Sequence, residues 1–226
     1  MQTVFRKEIK YVLPIEKFIR LESQLDALMT RDHNGKNGTY TVRSQYFDSI
    51  EDQDLADNIY GMEEKRKIRL RMYSAEDKRV KLEYKCKSGS DGVKYSIDIS
   101  KEEAQMMEQH RYAFLLQRKE KLAFFLYNKL LQGAYQPKSI VEYERTAFLY
   151  PVNDVRITFD HHIRGSVNPY GLFEKKPFFF PIMSEDVGVL EVKYNDFLPG
   201  HLKNLMQQID SLGVANSKYS SSRNIY

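Results

Sequence analysis

Charged and apolar residues alternate in several short segments of this chain, and this alternation constrains the fold more than any other feature. In the segment 67–73, Arg69 and Arg71 stand between apolar neighbours. The segment 79–87 repeats the pattern with Lys81, Glu83 and Lys85. Because successive side chains of a strand point to opposite faces, each segment predicts a strand with one apolar and one charged face.

The rest of the chain mixes this period of two with a few helical periods. Strands are predicted over residues 5–12, 39–48, 67–73, 79–87, 93–99, 139–150, 155–163 and 188–195. Helices are predicted over 15–30, 102–110, 114–131 and 201–212, and a loop over 165–183. Clustered strands with helices between them favour an antiparallel α+β fold over a doubly wound parallel sheet. About eight such strands suffice to close a small barrel.

Length and residue usage indicate one folded domain over residues 1–226. No apolar stretch approaches the ~20 residues that a membrane-spanning helix needs, so no transmembrane segment is expected. The N-terminus reaches charged residues before any signal-like apolar run. The lone cysteine, Cys86, excludes an internal disulfide. These observations predict a cytoplasmic protein.

Positive charge is concentrated on the predicted strand faces. The whole chain has 35 basic and 31 acidic residues, a net charge of +4. The predicted faces hold far more cations than acids: Arg6, Lys10, Lys67, Arg69, Arg71, Lys81, Lys85, Lys87, Arg145, Arg156 and Lys193 against Glu8, Glu83, Asp160 and Glu191. Such faces are either the solvated outside of a sheet or the lining of a hollow that binds a linear polyphosphate.

Eight segments together resemble a known family. They are RKEIKY at 6–11, SQYFD at 44–48, KIRLRMY at 67–73, EYKCK at 83–87, YER at 143–145, RITFD at 156–160, LEVK at 190–193 and SKY at 217–219. In this order they resemble the VTC domain, the polyphosphate polymerase module of the vacuolar transporter chaperone complex. The resemblance covers nearly the whole chain.

The resemblance implies a fold, a reaction and a cofactor. The VTC domain is a triphosphate tunnel metalloenzyme of the CYTH-like type, so the implied fold is a closed barrel of about eight antiparallel strands with helices packed outside. The implied enzyme is a phosphotransferase that moves the γ-phosphate of ATP to a growing polyphosphate chain inside a basic tunnel. A divalent metal, Mn²⁺ or Mg²⁺, is the implied cofactor. The implied partners are ATP and inorganic polyphosphate or pyrophosphate.

The resemblance also assigns roles to residues of this sequence. The implied catalytic residues are Arg69, Arg71, Lys85, Arg145 and Arg156. The implied substrate-binding residues are Arg6, Lys10, Lys87, Tyr143, Lys193, Ser217 and Lys218. Glu191 is similar to the family's metal-binding carboxylate. Glu8 or Glu83 is the expected further metal ligand, because a hard cation prefers carboxylate oxygens.

Two positions depart from the pattern. Arg6 stands where hydrolase and cyclase branches of the superfamily place a glutamate, which favours the polymerase branch over a triphosphatase. Ala215 and Asn216 precede Ser217, where another basic residue is expected. This second departure removes a charge that would bind substrate.

Three other functions have less support from the residues. A tunnel triphosphatase would release phosphate by attack of water, and a silent module would only bind polyphosphate. Nucleic-acid binding lacks an evident aromatic platform or recognition helix. A histidine-based site is also disfavoured, because the chain has no HExxH spacing and His161 and His162 would face opposite ways on a strand.

Overall fold

The computed structural model describes residues 6–32, 35, 38–89, 91–166, 168–209 and 217–223. In these residues the elements run in the order β1 (Arg6–Pro14), α1 (Ile15–Leu28), β2 (Thr30–Arg31), β3 (Thr39–Asp48), α2 (Gln53–Ile59), β4 (Glu64–Met72), β5 (Arg79–Ser88), β6 (Asp91–Ser100), α3 (Lys101–Glu108), α4 (Lys121–Gln132), β7 (Gln136–Tyr150), β8 (Val155–Ser166), β9 (Phe180–Pro181), β10 (Val187–Asn195), α5 (Gly200–Gln207) and α6 (Lys218–Arg223). Within those ranges, every helix is too short or too polar to cross a bilayer.

Each predicted strand is present, and the helices differ in three places. Residues 114–131 do not form one helix: a 3₁₀ turn at Ala113–Gln117 and α4 are separated by the extended Arg118. Arg118 leaves the helical path because its guanidinium donates to Glu103 and to the carbonyl of Asp98. The predicted helix 201–212 is confirmed as α5 up to Gln207, and residues 210–212 lie outside the described part. The short helices α2 and α6 were not predicted.

The strands form an antiparallel sheet in the order β1-β10-β8-β7-β3-β4-β5-β6, with β2 beside β7 and β9 beside β8. The α+β fold class is therefore confirmed. The closed barrel is corrected to an open order, because in the described ranges β1 is hydrogen-bonded only to β10, and β6 only to β5. Both terminal strands thus have one paired edge.

The chain divides into two compact units, which share β3, β7, β8 and β9. The first unit contains Met1–Thr41, Tyr143–Ile163 and Pro181–Ser217. Its core lies between the apolar face of β1, β10 and β8 and the helices α1 and α5. The three-to-four-residue spacing of Phe18, Leu21 and Leu25 places all three on the buried side of α1. Phe18 stacks on Phe159 of β8 with ring centroids 3.8 Å apart.

The second unit contains Val42–Glu142, Arg164–Phe180 and Lys218–Tyr226. The apolar faces of β3, β4, β5 and β6 pack there against α3 and α4. Ser100 begins α3 as a capping box: its hydroxyl accepts from the Glu103 amide, and the Glu103 carboxylate accepts from the Ser100 amide. Cys86 is half-buried and contacts this core, as its alternation with charged neighbours predicted. One face of every strand in this group is consequently left for polar side chains.

The alternation of β8 is interrupted at His162, which has a left-handed φ of 48°. That backbone turn brings the Nδ1 atoms of His161 and His162 to 3.2 Å from each other. The prediction that the two rings face opposite ways is therefore wrong. The prediction assumed regular strand geometry, and the left-handed φ of His162 interrupts that geometry within β8.

Candidate functional site

The first unit has a charged surface on the side of the sheet opposite its helices. Antiparallel register places Glu8 opposite Lys193, and Lys10 opposite Glu191. It also places Lys193 opposite Arg156 on the next strand. Directly opposed residues share a face, so these side chains converge. We call this surface the first polar face; it comprises Glu8, Lys10, Arg145, Arg156, Thr158, Asp160, Glu191 and Lys193.

Two carboxylates and two ammonium groups interlock on the first polar face. The Lys10 Nζ lies 3.1 Å from Glu8 and 3.6 Å from Glu191. The Lys193 Nζ lies 2.7 Å from Glu191 and 3.9 Å from Glu8. Burial would raise the pKa of Glu191, but Lys193 and Lys10 outweigh it and hold that pKa well below its usual range. Glu191 is therefore ionised at neutral pH.

The Glu8 and Glu191 pair has the chemistry of a hard-cation site. Both carboxylates lie within reach of the same two ammonium groups, so a divalent ion could contact oxygens of both. Mg²⁺ and Mn²⁺ prefer carboxylate oxygen ligands. The residues present thus fit the metal that the sequence implied.

Arg145 is held rigidly on the same face. Its Nε and Nη2 donate to the two oxygens of Asp160 at 2.6 and 2.8 Å. Its guanidinium carbon lies 5.2 Å from the ring centroid of the buried Tyr143. Burial alone would lower the pKa of Arg145, but Asp160 raises it well above its usual value. Arg145 is thus a fixed positive charge, with two of its donor nitrogens already engaged.

Arg156 is held by a different set of partners. Its Nη2 donates to Asp32 and to the Tyr40 hydroxyl, both at 3.0 Å. Beside it on β8, the buried Thr158 hydroxyl has no hydrogen-bond partner among the described residues. Thr158 stands opposite Glu191 in the register. This hydroxyl is available to a ligand or a water molecule.

The second unit has its own charged surface on β3, β4, β5 and β6. Three rows of opposed residues cross these strands: Ser44, Arg71, Lys81 and Asp98; then Tyr46, Arg69, Glu83 and Ser96; then Lys67, Lys85 and Lys94. We call these residues the second polar face. The third row sets three lysines side by side, and the carboxylate of Glu83 compensates the charge of Lys94. A polyanion is the ligand that this surface best accommodates.

Glu83 is the centre of the second polar face. It accepts from Arg69 Nε at 2.7 Å and lies 2.6 Å from Lys94 Nζ and 3.6 Å from Arg71. Burial would raise the pKa of Glu83, but Arg69 and Arg71, with the Lys94 hydrogen bond, lower it to about 2. Three cations around one carboxylate favour a role in positioning the arginines over the predicted role as a metal ligand.

Arg69 and Arg71 differ in how many of their donors are engaged. Arg69 also donates to the Tyr46 hydroxyl at 3.2 Å. The Nε of Arg71 is buried and has no hydrogen-bond partner in the described ranges, and neither has the buried hydroxyl of the opposed Ser44. A buried unsatisfied donor is costly. A phosphate oxygen or a water between these two groups would remove that cost.

The C-terminal segment is anchored in the second unit by α6. The Tyr219 hydroxyl donates to Asp48 at 2.6 Å, and the Tyr219 ring stacks on Tyr46 at 5.2 Å. Ser217 and Lys218, predicted to bind substrate, are half-buried at the start of this helix. Ala215 and Asn216 lie outside the described residues.

The remaining predicted site residues can also be placed. Lys85 is half-buried on the second polar face. Lys87 follows two residues later on the same side of β5, where it is exposed and stands opposite Lys65. Arg6 pairs through its backbone with Asn195, and its side chain lies outside the described part of the chain. Lys94 and Tyr46 contact the predicted residues Glu83 and Arg69 but were not predicted from the sequence. The alternation of Val93 and Tyr95 around Lys94 was the signal that could have found the lysine.

Comparisons with known proteins agree with this fold. The model of the VTC domain family matches residues 5–226. A proposed adenylate cyclase from Bacillus halodurans has a similar structure, with a TM-score of 0.57, 15% identity and full coverage of both chains. A protein from Pyrococcus horikoshii aligns with a TM-score of 0.48 and 11% identity over 95% of this chain and 96% of its own. The sequence matches no curated protein. At 15% identity, the first structural similarity shows the fold alone.

Proposed function

Because the chain belongs to the VTC domain family, we propose that it is a metal-dependent polyphosphate polymerase acting as one domain over residues 1–226. The substrates are ATP, which donates its γ-phosphate, and a polyphosphate chain, which accepts it. The proposed location is the cytoplasm, where ATP is present and a free cysteine such as Cys86 stays reduced.

The observation that supports this proposal most is the row Lys67, Lys85 and Lys94 beside Arg69 and Arg71. A linear polyphosphate has one negative charge per repeating phosphate, and a series of opposed cations offers it several positive charges in a row. Each arginine fork can donate to two phosphate oxygens, and the lysines act as point charges. The second polar face therefore binds phosphate groups.

The reaction needs alignment and charge neutralisation more than a protein nucleophile. Arg69 and Arg71 contact the transferred phosphoryl group, and Glu83 keeps both arginines fixed. Lys85 and Lys87 neutralise neighbouring phosphates. Lys218 and Ser217 extend the binding site at the start of α6.

The first polar face has its own groups for binding phosphate and a metal ion. Glu8 and Glu191 hold Mn²⁺ or Mg²⁺, which neutralises phosphate oxygens when it is bound. Lys10, Lys193 and Arg6 bind further phosphates. Arg145 and Arg156 contribute fixed positive charge, and the ring of Tyr143 packs against the guanidinium of Arg145.

One observation favours a second candidate, a module that binds polyphosphate without turnover. Both proposed metal ligands are engaged by lysines: Glu191 by Lys193 at 2.7 Å and Glu8 by Lys10 at 3.1 Å. If these ion pairs persist when the substrate binds, no metal enters. The protein would then hold phosphate chains without transferring a group.

Chain growth from ATP tests the proposal. The full-length protein is incubated with ATP, a short polyphosphate primer and Mn²⁺ or Mg²⁺, and chain length and free phosphate are measured. We expect longer chains. Arg71→Ala should lower the rate about 100-fold or more, since it removes a transition-state donor. The matched control is Arg66→Ala, on the same strand at a position of the opposite parity.

Other outcomes decide between the alternatives. Free phosphate without chain growth would indicate a triphosphatase. Tight polyphosphate binding without turnover under either metal, unchanged in Glu191→Ala, would indicate the silent module.

A further inference from the structure

A histidine and glutamate cluster lies at the distorted part of β8. The Nδ1 atoms of His161 and His162 are 3.2 Å apart. The Nδ1 of His162 is 3.4 Å from Oε1 of Glu144 on the neighbouring strand β7. One ligand atom from each of the three residues lies within 4.8 Å of the others. Two imidazoles and a carboxylate at these separations form a donor set for a transition metal.

The distances match the geometry of a small coordination sphere. Zinc binds imidazole nitrogen at about 2.0–2.1 Å and carboxylate oxygen at about 2.0–2.2 Å, usually in a tetrahedron. Two ligand atoms 3.2 Å apart then subtend an angle of roughly 100° at the metal. The 3.4 Å separation gives roughly 110°. Both angles are close to tetrahedral, and the third pair, His161 and Glu144, has ligand atoms within 4.8 Å of each other.

The backbone at this place is unusual for its residue type. His162 has a φ of 48°, a conformation that residues other than glycine adopt only sparingly. In a regular strand the two rings would point to opposite faces. The left-handed turn is what directs both imidazoles to one point, so the cluster depends on this local conformation.

The cluster faces away from the first polar face. Glu144 precedes Arg145, which points to Asp160 on that face, so Glu144 lies on the other side of β7. The His161 ring stacks with Phe159, a core residue beneath α1. The cluster is therefore separate from Glu8 and Glu191 and uses none of the groups assigned to phosphate binding.

The negative charge of the cluster itself comes from Glu144, because the two further carboxylates nearby are each paired with an arginine. The carboxylates of Glu22 on α1 and of Asp160 lie near enough to His161 to act on its charge. Glu22 itself is paired with Arg31 at 2.9 Å. Three ligands from the protein leave a fourth position for water.

From this geometry, we propose that Glu144, His161 and His162 bind one divalent transition-metal ion of the zinc class. The ion would join β7 and β8 at the edge of the first unit, on the helix-covered side of the sheet. Mixed nitrogen and oxygen ligands select zinc, cobalt or nickel over magnesium. The site is consequently independent of the metal proposed for phosphoryl transfer.

Co²⁺ is the probe that tests this site. The untagged full-length protein is titrated with Co²⁺ in excess Mg²⁺, which occupies oxygen-only sites, and visible absorption is recorded. A four-coordinate site containing nitrogen gives intense bands, whereas an oxygen-only octahedral site gives weak ones. We expect intense bands that saturate at one Co²⁺ per chain and disappear when Zn²⁺ is added.

Variants show which residues bind the ion. His161→Ala and His162→Ala should lose the intense bands, and Glu144→Gln should weaken binding at least tenfold. The matched control, His201→Ala, replaces an exposed histidine of the same unit and should behave as wild type. Zn²⁺ should also raise the melting temperature of the wild type but not of His161→Ala.

The proposal is overturned by two results. One is the absence of intense bands in the wild type; the other is a spectrum that His161→Ala and His162→Ala leave intact. Circular dichroism shows whether each variant is folded. If a histidine variant does not fold, Glu144→Gln, which keeps both imidazole rings, tests metal binding in its place. Neither result bears on chain growth from ATP.

Discussion

Glu83 keeps its negative charge in a buried position because three cations surround it. Burial would raise its pKa, but Arg69 and Arg71, helped by Lys94, lower it to about 2 from a usual 4.5. The carboxylate in turn fixes Arg69 at 2.7 Å. Removing it would leave three cations facing one another in a desolvated place.

We expect Glu83→Gln to change the pH dependence of stability. The folded-state pKa is depressed, so the contribution of ionised Glu83 is fully present above pH about 4.5 and is lost as the pH falls toward about 2. The shift corresponds to about 3 kcal/mol of unfolding free energy at neutral pH. Urea unfolding at several pH values should show a gap between wild type and variant that narrows by more than half at pH about 3.

An exposed glutamate on the adjacent strand serves as the control. Among the described residues Glu64 is ion-paired with Arg66, and its side chain is 65% exposed, so Glu64→Gln should follow the wild-type curve within about 0.5 kcal/mol. A gap for Glu83→Gln that stays constant from neutral to acidic pH would contradict this account of the cluster.

Strand alternation predicted which residues share a face, but not which residues pair. It placed Arg145 and Asp160 on charged faces, yet the two-pronged contact between them depends on the register of β7 and β8. The engagement of Arg156 by Asp32 and Tyr40 depends on residues more than a hundred positions away. The left-handed backbone conformation of His162 was not predicted, because a histidine with a positive φ has no characteristic sequence pattern.

At the scale of elements, α1 stabilises the first unit through one apolar side. Leu25 is fully buried against the sheet, whereas Ile19 on the same helix is 58% exposed. We expect Leu25→Ala to lower the free energy of unfolding by about 2–5 kcal/mol, since it removes buried methyl groups and leaves a cavity. Ile19→Ala should change it by less than about 0.5 kcal/mol. Chemical denaturation of both variants measures the difference, and equal losses would show that α1 does not pack as described.

Long amphipathic elements could be predicted, and short ones held by distant contacts could not. The bounds of β3 agree with the sequence prediction, because its β-branched and aromatic residues are flanked by segments rich in Gly, Asn and Asp. The seven-residue helix α2 was missed, since Asp48 of β3 accepts from the amides of Asp54 and Leu55 in its first turn. Such a cap from outside the helix has no local sequence motif. Helix α6 also depends on distant carboxylates, because its Tyr219 side chain donates to Asp48 and its Arg223 side chain donates to Asp52.

For the whole molecule, tripolyphosphate should stabilise the fold. The second polar face sets Lys67, Lys85 and Lys94 in register, and a ligand that binds only the folded state stabilises it by mass action. At a hundredfold excess over Kd the gain is about 2.7 kcal/mol, which corresponds to a rise in Tm of roughly 5–10 °C. Differential scanning fluorimetry with EDTA present measures this without metal.

The size of the shift should depend on charge and on salt. Lys85→Ala should reduce it, and high NaCl should weaken it because surface charges are screened. An unchanged Tm at saturating tripolyphosphate would count against phosphate binding by either polar face, whatever the enzymatic result.

The overall arrangement was predictable as a class and not as a closed shape. Eight strands with helices between them indicated an antiparallel α+β fold, and the structure has it. Closure was inferred from strand number, but strand number does not decide which edges meet. The order ending at β1 and β6 in the described ranges is set by pairings such as Arg6 with Asn195, which no local pattern encodes.

That pairing of the first strand with the last long strand has a consequence for biosynthesis. β1 is translated well before its neighbour β10, because most of the other elements lie between them in the chain. The backbone edge of β1 therefore stays without this partner until β10 has been made. Completion of the first unit must wait for that strand. A stalled or prematurely terminated polypeptide would expose that edge to aggregation and to quality-control proteases.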